Sequence, residues 1–182
     1  MFGTEGQLDI CAPGMGELRQ SYRHFAPVLA RHGYRVVTVD IRGHGDSDAA
    51  FSAYDDVALA TDLLALIDEW GAPAVIVGNS MGAGAAVIAA ADEPGKVHGL
   101  ALIGPFVRNP PGGRAQARML RLLLTKPWGP RAFMWYYPKW MPGIRPADFA
   151  AHTALVRENL QRPGHWAAFV QTTRTTHEPA ER

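Results

Sequence analysis

A serine set between two glycines is the first candidate for chemistry in this sequence. Gly78-Asn79-Ser80-Met81-Gly82 follows a β-branched apolar run and precedes an alanine-rich stretch. The glycines let the backbone turn sharply from a strand into a helix, so that the hydroxyl of Ser80 projects from the carboxyl edge of a sheet. The helix then aims unpaired N–H groups at a developing oxyanion. This pattern predicts a nucleophile. A glycine-rich turn without chemistry is the alternative, because five-residue patterns occur by chance.

A second glycine turn stands near the beginning of the chain. Pro13-Gly14-Met15-Gly16 follows the apolar run Leu8–Ala12 and precedes a predicted helix. A flexible turn at this position can supply a further N–H donor to the same substrate oxygen. It can equally be a strand-to-helix connection that merely uses glycine.

The elements that would position these turns alternate between strand and helix. We predict strands at residues 8–12, 35–40, 74–78 and 97–103 from short apolar, β-branched runs. Helices are predicted at about 22–32, with Ser21 as the cap, and at about 54–70 and 81–91. Strands that alternate with helices favour a parallel sheet with right-handed crossovers, and therefore the α/β class.

These segments together resemble the α/β-hydrolase family. The matching pieces, in the family's order over about residues 8–105, are Pro13–Gly16, Gly33–Asp40, Ile41–Asp48 and Gly78–Gly82. The resemblance implies a sheet in which the four predicted strands lie in the order second, first, third, fourth. It implies Ser80 as the nucleophile and the backbone N–H groups of Met15 and Met81 as the oxyanion hole. It also implies no metal and no organic cofactor.

The resemblance also sorts the other polar residues and the possible reactions. A serine at this turn, rather than an aspartate, points to hydrolysis of an ester, thioester, amide or C–C bond through an acyl-enzyme. Epoxide hydrolases and dehalogenases are disfavoured. The loop after the second strand is interpreted as structural rather than catalytic, although it holds several charged and ionisable side chains: Asp40, Arg42, His44, Asp46 and Asp48.

The acid and the histidine that the family places after the serine have no clear counterpart here. No strand is predicted after Ile103, and residues 104–109 contain no carboxylate. The later candidates fall in predicted helices or the tail: Asp148, Glu158, His177, Glu178 and Glu181. We therefore expect a partial chain without the opening strands and the C-terminal Asp/His region. Alone it should be nearly inactive, and it should self-associate through exposed sheet edges.

The charge distribution divides the chain into two predicted regions. Residues 1–104 hold 6 Lys/Arg and 13 Asp/Glu, whereas residues 105–182 hold 12 and 4. We predict a partial core at 1–105 and a helical lid at 106–182. The lid aromatics either line a pocket for an apolar acyl or aryl group or form the lid's own core. Its basic excess could attract an acidic substrate or an anionic membrane surface, or be a solvated face.

Composition excludes several other classes of protein. With 182 residues, 47% of them hydrophobic, and a net charge of +1, the chain gives no global case for disorder or nucleic-acid binding. We see no transmembrane run and no signal peptide, and expect the cytoplasm. The single cysteine, Cys11, excludes an internal disulfide. The partner is predicted to be a small-molecule substrate. A hydrolase-fold module that binds a ligand or signals without turnover is the alternative function.

Overall fold

The computed structural model describes residues 1–71, 73–108, 119, 122–125, 127–139, 143–175 and 180. Within these residues a parallel sheet of four strands has the order β2-β1-β3-β4. The strands are β1 (Leu8–Ala12), β2 (Arg35–Thr38), β3 (Ala74–Asn79) and β4 (Val97–Ile103). This order and the α/β class confirm the predictions. In addition, Phe2 forms an antiparallel bridge to Val36, so the outer edge of β2 is partly paired.

Helices connect the strands and cover both faces of the sheet. α1 (Ala26–Arg31) follows β1, α2 (Asp56–Trp70) follows β2, and α3 (Met81–Asp92) follows β3. The side chain of Asp55 caps α2 by accepting from the Ala58 N–H at 2.9 Å. Along β1, Leu8, Ile10 and Ala12 join the core under α2 and α3, while Cys11 belongs to the opposite core with α1. Successive strand residues point to opposite faces, so both faces are buried.

The predicted start of the first helix was wrong. A 3₁₀ turn occupies Arg19–Tyr22, and α1 begins only at Ala26, with Pro27 in its first turn. Tyr22 is buried, and its hydroxyl donates to the Ala12 carbonyl at 2.8 Å. This anchors the segment beneath the sheet before the helix begins, and proline is well suited to the first helical turn.

Residues 106–182, which are predicted to form a lid and are called the lid below, include α4 (Gly129–Tyr136), a 3₁₀ turn (Tyr137–Lys139), α5 (Phe149–Gln161) and α6 (His165–Thr172). In the described part of 104–182 there is no strand. The lid has its own aromatic core, and Trp135 and Tyr136 are exposed. The core members are Phe133, Tyr137, Trp166 and Phe169. Trp140, one of the lid aromatics, and four residues of the lid's basic excess, Arg114, Arg118, Arg121 and Lys126, lie outside the described residues. The boundary at 105/106 stays a prediction.

The far edge of the sheet is uncovered in the described structure. β4 lies at this edge, and the apolar side chains of Leu100, Leu102 and Ile103 are exposed. Self-association through this edge stays a prediction. Over the same residues, the helices are too short or too polar to cross a bilayer.

Candidate active site

Ser80 occupies a strained turn between β3 and α3. Its φ of 54° and ψ of −114° make it the only described residue other than glycine with a positive φ. Four backbone hydrogen bonds hold this conformation. The Ser80 N–H donates to the Ile103 carbonyl at 2.9 Å, and the Ser80 carbonyl accepts from the N–H groups of Ala83 at 3.1 Å, Gly84 at 3.2 Å and Phe106 at 3.4 Å. The serine therefore sits directly before the N-terminus of α3.

The two glycines of this turn are required by space. A Cβ added to Gly78 would lie 2.5 Å from the Ala83 Cα, and one added to Gly82 would lie 2.3 Å from the Ala12 carbonyl oxygen. No side chain fits at either position without moving backbone. The strand–turn–helix arrangement predicted from the sequence is therefore present. Close packing against the first turn of α3 explains Gly78, and close packing against the end of β1 explains Gly82.

The turn after β1 lies against Ser80. A Cβ added to Gly14 would lie 3.0 Å from the Ser80 Cβ and 3.4 Å from its Oγ. Within the described residues, the N–H groups of Met15 and Met81 have no hydrogen-bond acceptor. The first N–H groups of a helix have no partner inside it, so Met81 offers a donor beside the serine. The structure thus brings the three predicted site residues together, and their catalytic roles stay predictions.

His44 stabilises the turn that contains Met15 through a hydrogen bond to the next residue, Gly16. The Gly16 N–H donates to His44 Nε2 at 2.9 Å, and His44 Nδ1 lies 3.0 Å from the Arg42 carbonyl oxygen. Because Nε2 accepts and Nδ1 donates, the ring is neutral with its proton on Nδ1. Burial lowers the pKa of His44 from 6.5 to about 4. The structural interpretation of this loop agrees with the contacts, but the link to Gly16 was not foreseen.

The charged residues of the same loop pair with one another and with neighbouring elements. Arg19 forms ion pairs with Asp40 and Asp46. Arg42 makes two hydrogen bonds to Asp62 on α2, at 2.7 and 2.8 Å. These pairs tie the loop to its surroundings, as expected for structural residues.

Polar contacts join the lid to the segment after β1 and to the loop after β2. His152 on α5 is buried, and its Nε2 donates to Glu17 Oε2 at 3.3 Å. Asp148, just before α5, accepts two hydrogen bonds from Arg23, at 2.7 and 2.8 Å. The Asn159 side-chain oxygen accepts from the Gly45 N–H at 2.8 Å. Sequence reasoning missed these contacts, because the partners lie more than a hundred residues apart.

No described side chain hydrogen-bonds to Ser80 Oγ. The described histidines have other surroundings: His24 contacts Asp148, His32 contacts the Val28 carbonyl, His165 contacts Asn159, and His98 is exposed on β4. His177, Glu178 and part of the tail lie outside the described residues. The described residues therefore provide the serine and the two N–H donors without a base in contact with the serine.

A wide groove of the described structure lies elsewhere. It has a volume of about 1050 Å³ and runs along β2 and α2, and its lining includes Arg19, Asp40, Arg42 and Asp62 but none of the three predicted site residues. These four side chains form two ion pairs, Arg19 with Asp40 and Arg42 with Asp62. The described residues contain no cluster of three or more metal-ligating side chains. The chemistry suggested by Ser80 therefore does not depend on this groove.

Comparison with known proteins identifies the family. The family described as serine aminopeptidase, S33, matches residues 8–173. Epoxide hydrolase A of Mycobacterium tuberculosis is 47% identical over 77 residues, which are 41% of this chain and 24% of that protein. Human monoglyceride lipase is 32% identical over 111 residues, or 58% of this chain and 37% of that protein.

The fold is shared with solved structures. The esterase EaEST from Exiguobacterium antarcticum superposes with a TM-score of 0.79 at 20% identity, covering 96% of this chain and 67% of that one. The chain spans half or less of the length of the curated relatives that it matches. Because the family match extends over most of the chain, this protein belongs to the serine aminopeptidase S33 family and has the α/β-hydrolase fold.

Proposed function

We propose that the protein is a serine hydrolase that cleaves an ester, thioester, amide or C–C bond through an acyl-enzyme on Ser80. The observation that carries this proposal is the strained Ser80 turn at the start of α3, with Gly14 packed against it. Backbone strain of this kind costs about 1–3 kcal/mol and persists where the surrounding structure enforces it. Holding a nucleophilic hydroxyl toward a substrate is a function that such strain serves.

In the proposed reaction, Ser80 Oγ attacks the carbonyl carbon of the substrate. The negative charge that develops on the carbonyl oxygen is stabilised by the N–H groups of Met15 and Met81. A histidine outside the described residues takes the serine proton and gives it to the leaving group. Water then attacks the acyl-enzyme and regenerates the serine.

The identity of the nucleophile favours a carbonyl substrate over an epoxide, although several curated relatives are named epoxide hydrolases. Attack of a serine oxygen on an epoxide carbon forms an ether, which has no carbonyl carbon for water to attack. Attack on a carbonyl forms an ester, which water cleaves by the same chemistry that formed it. Only the second route lets Ser80 turn over.

An apolar acyl or aryl group is the substrate feature that the surroundings support. Phe133 of α4 and Phe169 of α6 reach the turn beside Ser80, since a Cβ on Gly16 would lie 3.0 Å from a ring carbon of each. Both rings are buried in the aromatic core of the lid. A group bound between this turn and the lid would therefore meet apolar surface.

Labelling with a fluorophosphonate probe tests the proposal. The chain and the Ser80→Ala variant are incubated with the probe, with and without added imidazole as an external base, and the adduct is mapped by mass spectrometry. We expect Ser80 to be labelled, slowly without imidazole and faster with it. Oxyanion donors alone sustain a residual acceleration of only about 10³–10⁴ over water.

The same experiment separates the proposal from a ligand-binding module without turnover. Equal labelling of the Ser80→Ala variant, or labelling at another residue, would contradict a nucleophilic Ser80. A folded chain that resists the probe and binds apolar esters equally well with and without the Ser80 hydroxyl would favour the binding module.

A further inference from the structure

The first part of the lid has a large excess of basic over acidic residues, and the family relationship does not explain this excess. Residues 105–147 contain eight Lys/Arg and no Asp/Glu, whereas residues 1–104 are acidic with 6 against 13. A basic segment of this length attracts an anionic surface over about one Debye length, which is about 8 Å at physiological salt.

The outer face of α4 combines this charge with exposed aromatic rings. Trp128, Arg131 and Trp135 follow one another at spacings of three and four residues, so they share one side of the helix. All three side chains are exposed, as are Tyr136 and Lys139, and Trp135 is 69% exposed. The ammonium of Lys139 lies 3.2 Å from the centre of the Trp135 ring. Amphipathic rings beside cations are typical of a surface that meets a membrane interface.

Exposed apolar side chains also lie near both ends of α4. Trp128 Nε1 donates to the Leu122 carbonyl at 3.3 Å, which places the exposed Leu122 next to Trp128. Arg145 donates to the Pro138 carbonyl at 2.7 Å, which places the fully exposed Ile144 near the end of the turn after α4. We call Leu122, Trp128, Trp135 and Ile144 the lid patch.

We propose that the lid patch binds the surface of a bilayer that contains anionic phospholipid. Its aliphatic and indole side chains would enter the interface, and Arg131, Lys139 and Arg145 would contact the headgroups. A membrane fits better than a protein partner, because eight Lys/Arg without any Asp/Glu in residues 105–147 complement a uniformly anionic surface, whereas the cores of protein interfaces are depleted in charged residues.

The opposite side of α4 connects this surface to the candidate active site. Phe133 points inward and packs near Gly16, in the turn that lies against Ser80. A membrane bound on the outer face would therefore lie one helix diameter, about 10 Å, from that turn. The membrane proposal does not rest on the proposed hydrolase activity.

Flotation of the 182-residue chain with lipid vesicles tests the proposal. The vesicles contain phosphatidylcholine alone or with about 30% phosphatidylglycerol. We expect flotation with the anionic vesicles, weakened by salt, and a blue shift of tryptophan fluorescence that brominated lipids quench. Each basic residue near an anionic surface contributes about a fivefold change in partitioning, so Arg131→Gln with Lys139→Gln should reduce binding about 25-fold.

Matched variants in the acidic core serve as controls. The test variant Trp128→Ser with Trp135→Ser removes two rings of the lid patch. Its control is Val57→Ser, which removes an exposed apolar side chain from α2. Arg31→Gln removes an exposed cation from α1 and is the control for the charge variant. Circular dichroism confirms that each variant folds. We expect only the lid variants to lose binding.

Three results would overturn the proposal. These are failure of the folded chain to float, equal flotation with neutral and anionic vesicles, and equal loss of binding in the control variants. If the lid variants instead change the sedimentation of a self-associating chain and leave lipid binding unaltered, the lid patch is an interface between copies.

Discussion

Acid should destabilise this protein in part through His44, because the fold buries its ring in the neutral form. The ring accepts from Gly16 through Nε2 and donates to the Arg42 carbonyl through Nδ1, so a second ring proton would break the first of these bonds. Burial lowers the pKa of His44 from 6.5 to about 4. Between these values the unfolded chain binds a proton that the folded chain does not. The free energy of unfolding therefore falls as the pH falls through this window.

The size of the effect follows from the two pKa values. At about 1.36 kcal/mol per pH unit, the gap between 6.5 and about 4 corresponds to about 3 kcal/mol in total. Between about pH 7.5 and about pH 4.5, the expected loss from His44 is about 2–3 kcal/mol. The contribution is fully present above pH 6.5 and is lost as the pH approaches 4.

Urea unfolding of the chain and of the His44→Gln variant at these two pH values measures this loss. Glutamine does not ionise, and its amide oxygen can accept from the Gly16 N–H. Other groups titrate in both proteins, including His165, whose pKa burial also lowers. The difference between the two proteins therefore isolates His44. The chain should lose about 2–3 kcal/mol more than the variant.

Two results would refute this reasoning. One is an equal loss of stability in the chain and in His44→Gln. The other, which needs no variant, is an NMR titration in which the His44 ring protonates near its ordinary pKa of 6.5 in the folded chain.

Three further predictions concern the turn and the buried thiol. Ser80→Gly should be more stable than Ser80→Ala by about 1 kcal/mol in urea unfolding, because only glycine relieves the positive φ; equal stability would argue against strain. Gly82→Ala should lower the free energy of unfolding by at least about 1–3 kcal/mol, since its Cβ would lie 2.3 Å from the Ala12 carbonyl oxygen. In the control variant Gly95→Ala the added Cβ has no atom within 4 Å, so the free energy of unfolding should change little. Cys11, fully buried and with its pKa raised by burial to about 12, should react with a thiol reagent only after unfolding; rapid labelling of the folded chain would contradict this burial.

Much of the sheet could be predicted because its signals are local. β1 and β4 begin and end at the predicted residues, since each is a short apolar run bounded by polar residues, glycine or proline. The turn at Ser80 could be predicted for a similar reason, because two glycines two residues either side of the serine suit a sharp strand-to-helix turn. The start of α1 could not, because Tyr22 is held by a hydrogen bond to Ala12 under the sheet.

The sequence by itself therefore determined the α/β class, the boundaries of β1 and β4 and the serine with its two glycine turns, whereas β2 ends at Thr38 and not at the predicted Asp40. Only the tertiary structure decided that His44 supports Gly16 and that His152 meets Glu17, because these partners are 28 and 135 residues apart and meet through the paths of the loops. Tertiary structure also decided which lid aromatics are buried, because Phe133, Trp135 and Tyr137 are all aromatic and close in sequence. The packing of α4 turns Phe133 and Tyr137, four residues apart, inward and leaves Trp135 in solvent, since one side of a helix must face the core.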